Sequence, residues 1–195
     1  METPLDVSKQ EKVFSDILLS NREIRQVLAV IKYLNLPECY LGAGALAQTV
    51  WNNLTKRSNF ENIKDFDIVY YDPNDLSGES EKEIELRIRN LLNGFNVDVK
   101  NEARVHLWYE SKFGKIIPQY KSTEDAIDTW PTTSTAIGVR MVRNELKIYA
   151  PYGLEDVLSM TLRPNQKLIT KDVYYKKVER YTKEWPELNV IEWIE

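Results

Sequence analysis

The sequence predicts an α/β (α+β) protein with additional helices at its N- and C-terminal ends. Three observations predict it. Short apolar runs at 38–41, 65–71 and 95–99 have the length and spacing of strands. Segments with apolar residues three and four apart separate these runs and extend past them on both sides. A paired pattern at 132–142 and 146–150, joined through Asn144-Glu145, reads as a β-hairpin.

In chain order, Val13, Phe14, Ile17 and Leu18 set a helix over 9–19. Ser20, with Glu23 three residues on, has the form of a capping box for a second helix reaching Leu34, whose stripe is Ile24, Val27, Leu28 and Ile31. Pro37 stops it, and the short central strand at 38–41 holds Cys39, expected as a small buried residue. A helix over 45–54 turns Leu46, Val50 and Leu54 inward, with Trp51 in the core or at its rim. A polar loop, 56–64, leads to the strand 65–71, which ends in the turn Asp72-Pro73-Asn74. A solvated helix begins near Ser80, with Ser80 and Glu83 as its capping pair, and ends toward Gly94. After the strand 95–99, Asn101 caps a helix over 102–109 that carries the sole histidine, His106, expected to pack or hydrogen-bond and not to serve as a base. Ser122 and Asp125 mark a short helix running to Trp130, ahead of the hairpin. A short helix at 154–160 and the corner Leu162-Arg163-Pro164-Asn165 follow. The last long helix, 171–183, has Tyr174, Val178 and Tyr181 as its apolar stripe and Lys176, Lys177 and Arg180 on other faces. Val190 to Ile194 fold back as a tail.

The chain has 195 residues, 43% hydrophobic and 29% charged, which suits a soluble globular protein with one domain over 1–195. Within it, 1–36 are N-terminal helices, 37–150 the core, and 151–195 a C-terminal helical segment and tail. No apolar run has the length of a membrane span, and METPLDVSKQEK lacks the basic and apolar regions of a secretory signal, so a cytoplasmic location is expected. One cysteine leaves no internal disulfide, and one Cys with one His argues against a zinc site. The net charge of −4 does not suit a general nucleic-acid binder. Yet residues 138–183 hold 10 Lys and Arg against 5 Asp and Glu, which suits a triphosphate or an RNA end as well as it suits plain solvated helix faces.

The chemistry concentrates in LGAGALAQTVWNNLTKRSNFENIKDFDIVYYD, residues 41–72. Gly42, Gly44 and Ala45 lie where a strand gives way to a helix, and backbone amides there can approach a phosphate. Asp65 and Asp67, two apart on a strand, point to one face, where two like charges are unfavourable unless a cation lies between them. Hard oxygen ligands of this kind suit Mg²⁺, which bridges carboxylates to substrate phosphates. Asp98, inside the short apolar strand, likewise calls for a metal or for an ion pair with Lys100 or Arg104. Thr133, Ser134 and Thr135 could hydrogen-bond a base or ribose, or reflect β-propensity alone.

A strand, a Gly-Ala turn, a helix and then Asp-x-Asp flanked by apolar residues resembles the polymerase-β-like nucleotidyltransferase superfamily. The stretches GALAQTVWN, DFDIVYYD, VDVKNEARVHLWY, TTSTAIGVR and APYGLEDVLSMTLRPN are similar to a family of small bacterial nucleotidyltransferases, once grouped as a domain of unknown function and related to the head domain of CCA-adding enzymes. The resemblance runs from about Leu36 to Trp185. It implies the nucleotidyltransferase fold, a mixed central sheet flanked by helices. It implies catalytic and metal-holding roles for Asp65, Asp67 and Asp98, two Mg²⁺ ions (or Mn²⁺), and a nucleotide site that includes Gly42, Gly44, Ala45, Arg140 and Arg163. The implied reaction moves a nucleoside monophosphate from a nucleoside triphosphate to an acceptor hydroxyl and releases pyrophosphate. The acceptor could be a small molecule, a protein or an RNA end; duplex DNA and membranes are not expected partners. In the CCA-adding pattern an arginine and an acid follow the glycine loop, whereas here Gly44 leads into Ala45-Leu46-Ala47-Gln48. That phosphate contact is lost or falls to Arg140, Arg163 or Lys64. A catalytically weak nucleotide- or partner-binding module, or a metal-dependent phosphohydrolase, are the other readings.

Overall fold

In the computed structural model, which describes residues 6–194, a five-stranded sheet has the order β3-β2-β1-β4-β5. Here β1 is Tyr40–Gly42, β2 Phe66–Tyr70, β3 Val97–Asn101, β4 Gly138–Val142 and β5 Glu145–Tyr149. Pairing is antiparallel except between β2 and β3, so the sheet is mixed, as expected. Parallel neighbours need a long crossover, and α4, Gly78–Leu91, supplies it.

Alternation along the strands divides the sheet into two faces. The back face presents Leu41, Phe66, Ile68, Val97, Val99 and Val139, all buried. It is covered by α1, Val7–Ser20, α2, Arg22–Leu34, and α3, Gly44–Leu54, whose buried side chains join the same core cluster. The front face carries Tyr40, Gly42, Asp67, Val69, Asp98 and Lys100. There Tyr40 and Val69 pack with Ile127 and Ala136, next to the short helix α6, Thr123–Ile127.

Several boundaries differ from the sequence reading, each for a local reason. Ser20 belongs to α1 and donates its hydroxyl to the Ile17 carbonyl, while Asn21 caps α2 by accepting from the Ile24 amide at 3.1 Å. Ser77, not Ser80, caps α4, accepting from the amides of Glu79 and Ser80. Leu54 is 42% exposed because α3 ends there, whereas Trp51 is fully buried. Of residues 132–142 only Gly138–Val142 forms a strand; the amides of Thr135 and Ala136 both turn back onto the Thr132 carbonyl. The third strand starts two residues later than read. Asn101 at its end caps a 3₁₀ turn, Glu102–Arg104, which leads into α5, Val105–Phe113.

The C-terminal helix α8, Lys171–Glu184, docks through aromatic rings. Tyr181 meets Trp51 edge-on at 5.4 Å between centroids, and Trp185 lies 5.6 Å from the same indole. The Trp185 Nε1–H donates to buried Asn52 Oδ1 at 2.9 Å, and Asn52 Nδ2 donates to the Glu61 carbonyl. The tail beyond α8 adds β7, Asn189–Val190, parallel to β6, Thr161–Leu162.

Trp185→Ala should destabilise the fold by about 3–5 kcal/mol, through the lost indole and the orphaned Asn52 oxygen. Urea denaturation checks this; a loss near zero would mean that α8 is not held by this cluster.

Candidate active site

The parallel register of β2 and β3 sets Asp67 directly beside Asp98, one strand spacing (~4.8 Å) apart on the front face. Asp65 is exposed at the entrance to β2. On the other side of β2, Gly42 is the partner of Asp67. Burial first, then the charges of Asp65 and Asp98, push the Asp67 carboxyl up from 3.8 to about 7, against the opposing pull of Lys177 and Arg180.

A polar cavity of about 160 Å³ opens over Asp65 and Asp67; Asp98 does not line it. Ala43, Gly44 and Gln48 wall it from the start of α3, Lys64 and Asp65 from the loop before β2, and Lys177, Arg180, Tyr181 and Glu184 from α8. Ala43 holds a left-handed backbone, φ 56° and ψ −133°, and offers α3 no side-chain cap. An L-residue with such angles costs about 1–3 kcal/mol. The helix therefore begins uncapped at the cavity, with first-turn amides available to an anion. A Cβ on Gly44 would sit 3.0 Å from both Gln48 Nε2 and Tyr181 Oη, so a side chain there would crowd this corner.

The donor chemistry suits a hard divalent cation. Two carboxylates face each other across strands, a third is next to them, and Gln48 Oε1 is buried in the same wall without a hydrogen-bond partner. Yet among the described residues no three His, Cys, Asp or Glu side chains are gathered closely enough to hold an ion. Asp98 is engaged instead by Lys100 Nζ at 2.5 Å, the ion pair that the sequence left open as its other role.

The remaining sequence candidates are dispersed. Gly42 serves packing: a Cβ there would lie 2.5 Å from Trp130 Cη2, so the indole closes over it. Ala45 points into the core, and its carbonyl accepts from the Thr49 hydroxyl at 2.8 Å. Arg140 stacks its guanidinium 4.8 Å from the Tyr40 ring and lines neither the polar cavity nor its neighbour. Arg163 is clasped by Asp156, through Nε at 2.9 Å and Nη2 at 3.2 Å, and also lies outside both walls. The Thr133 hydroxyl donates to the same Asp156, while Thr132 and Thr135 bond each other; these residues brace a turn. Cys39 is buried and its thiol pushed up to about 12 by that burial, which makes it inert. His106 lines neither cavity.

Lys177 and Arg180 were read only as charged faces of the last helix. Their spacing with Tyr181 brings all three to one side of α8, and the basic balance of 138–183 was the one signal of their use. Glu102 was missed altogether. It is 6% exposed and lines a second, larger cavity beside the first.

A family model described as Nucleotidyltransferase matches residues 29–190. A solved structure described as "The NMR structure of the protein reveals a CCA-adding enzyme head domain" superposes with a TM-score of 0.77 at 24% identity, covering 92% of this chain and 96% of that one. That likeness shows the fold. No curated protein matches the chain. Among the described residues no helix is long and apolar enough to cross a membrane.

The raised Asp67 carboxyl makes stability depend on pH. Below 3.8 the group is neutral both folded and unfolded; between 3.8 and about 7 the unfolded chain releases its proton first and folding weakens; above about 7 the loss is complete. Without added metal, Asp67→Asn should therefore stabilise the fold above pH ~7 by on the order of 2–4 kcal/mol, and the gain should shrink as pH falls. Denaturation in a chelator across that range checks it, and a gain independent of pH would contradict it.

Proposed function

Since the chain belongs to the nucleotidyltransferase family, we propose that it transfers a nucleoside monophosphate from a nucleoside triphosphate to an acceptor hydroxyl, with divalent metal held by Asp65, Asp67 and Asp98. The observation that supports this reading is that Asp65 and Asp67, with Asp98 beside Asp67 on the next strand, meet Lys64, Lys177 and Arg180 across one cavity, where Glu184 is the single acid from α8.

Lys64, Lys177 and Arg180 would bind the phosphate oxygens, and the first-turn amides of α3 would add donors where the helix starts uncapped. Lys177 and Arg180, which line the same cavity as Gly44, would take over the contact of the arginine missing after it. Two bound Mg²⁺ ions, or Mn²⁺, would supply charge neutralisation and lower the pKa of the attacking hydroxyl. The acceptor oxygen forms its bond to the α-phosphorus, the bond from that phosphorus to the bridging oxygen breaks, and pyrophosphate leaves. The hydroxyl proton passes to solvent or to a neighbouring carboxylate. For Asp98 to take part, Lys100 must release it, and an incoming triphosphate gives that ammonium another anion. The acceptor is a small molecule, a protein or an RNA end.

A binding module without transfer is favoured by one observation, the Lys100–Asp98 ion pair, which withholds the third carboxylate. Titration calorimetry with each Mg²⁺–triphosphate, followed by assay of pyrophosphate, separates the two. The transferase reading predicts metal-dependent binding, weakened about tenfold or more by Asp67→Ala and by Lys177→Ala with Arg180→Ala. Binding without pyrophosphate release for any acceptor would leave a binder. No binding to the folded wild type would end both.

A further inference from the structure

The larger cavity has no role in the chemistry above. It encloses about 380 Å³ on the front face, the size of a small-molecule site. Lys177 lines both this cavity and the polar one, so the two share a wall. Its lining is mainly apolar and rich in rings, Trp108, Tyr109, Phe113, Tyr120 and Trp130. Trp130 is the indole that closes over Gly42, the strand partner of Asp67.

Glu102 lines this aromatic cavity, 94% removed from solvent by its 6% exposure, and its carboxylate makes no side-chain hydrogen bond or ion pair among the described residues. With no donor from the protein, its oxygens open to the cavity, where a ligand can supply one. The other charges in the wall are ammonium groups. Lys100 is tied to Asp98, and Lys115 donates to the Leu168 carbonyl at 3.3 Å. Such a wall disfavours a cationic ligand. It suits a flat neutral ring that stacks on the indoles, gives N–H donors to the carboxylate and accepts from ammonium groups.

We propose that this cavity holds the nucleobase and that Glu102 selects guanine. The inference rests on the nucleotide reading above and names the substrate within it. Among the four bases only guanine offers two adjacent N–H donors on one edge, N1–H and the 2-amino group, and an ionised carboxylate has two oxygens to accept them. In the empty cavity burial, then the charges of Glu81 and Asp67, push Glu102 up to about 8; two donated hydrogen bonds favour the ionised form.

The test pairs GTP with ITP, which lacks only the 2-amino group, and guanosine with inosine, which lack the phosphates as well. All are titrated against wild type and Glu102→Gln, with the Tm of the variant confirming its fold. Expected is binding of GTP about tenfold or more tighter than ITP, the same order for the nucleosides, and loss of that ratio in Glu102→Gln. Equal or tighter binding of ITP than GTP, or a ratio that survives Glu102→Gln, overturns the guanine site while leaving the triphosphate site standing. Guanosine bound through Glu102 with no triphosphate bound would do the reverse. No binding of either overturns both.

Discussion

Parallel pairing of β2 with β3 fixes Asp67 against Asp98, and the position of Asp65 two residues earlier adds a third negative charge at the same edge of the sheet. The backbone ladder fixes the Cα atoms of both, so rotamer changes alone decide how far apart the two carboxylates sit. The rest of the front face is arranged around that repulsion. Lys100, two residues past Asp98, neutralises it locally. Lys177 and Arg180 approach from α8 and pull the Asp67 carboxyl down against burial and its neighbours. Glu102 is buried close enough to feel the charge of Asp67. A cluster of this kind lowers stability in the free protein, the cost that the proposed cation and polyphosphate would relieve.

The placement of α8 follows from the aromatic contacts that dock it. Trp51 on α3 provides the surface, Tyr181 and Trp185 pack on it, and Asn52 receives the Trp185 indole N–H. The same turn of α8 that buries Tyr181 also carries Lys177 and Arg180 into the polar cavity. Packing of the C-terminal helix and electrostatics of the site are therefore one structural decision. A chain with only the strands and α3 would keep the carboxylates and lose their cationic wall.

Much of this was legible from local pattern. The glycine turn, α3 and the Asp-x-Asp strand sit within one stretch of sequence, so periodicity and residue chemistry located them together. That β3 lies beside β2 was implied by the role the resemblance gives Asp98 with Asp65 and Asp67; the parallel direction of the pairing was not legible. The caps at Ser20 and Ser80 were each misplaced because Asn21 and Ser77 make the capping bonds, while Ser20 and Ser80 lie inside α1 and α4. What was not legible is what the fold assembles from distant segments. The aromatic cavity draws on β3, α5, Trp130 and α8, and nothing local to Glu102 announces that it lacks a partner. Arg140 and Arg163 were placed by residue type in matching stretches, yet one stacks on Tyr40 and the other is held by Asp156.

The most direct measurement is a crystal structure of the protein with Mg²⁺ and a triphosphate whose α–β bridge is a methylene. The account predicts the phosphates between Lys64, Lys177 and Arg180, metal on Asp65 and Asp67, and Asp98 turned from Lys100 to that metal. A nucleotide bound elsewhere, or bound in this cavity with the Lys100–Asp98 pair intact and no ion on Asp65 and Asp67, would contradict it.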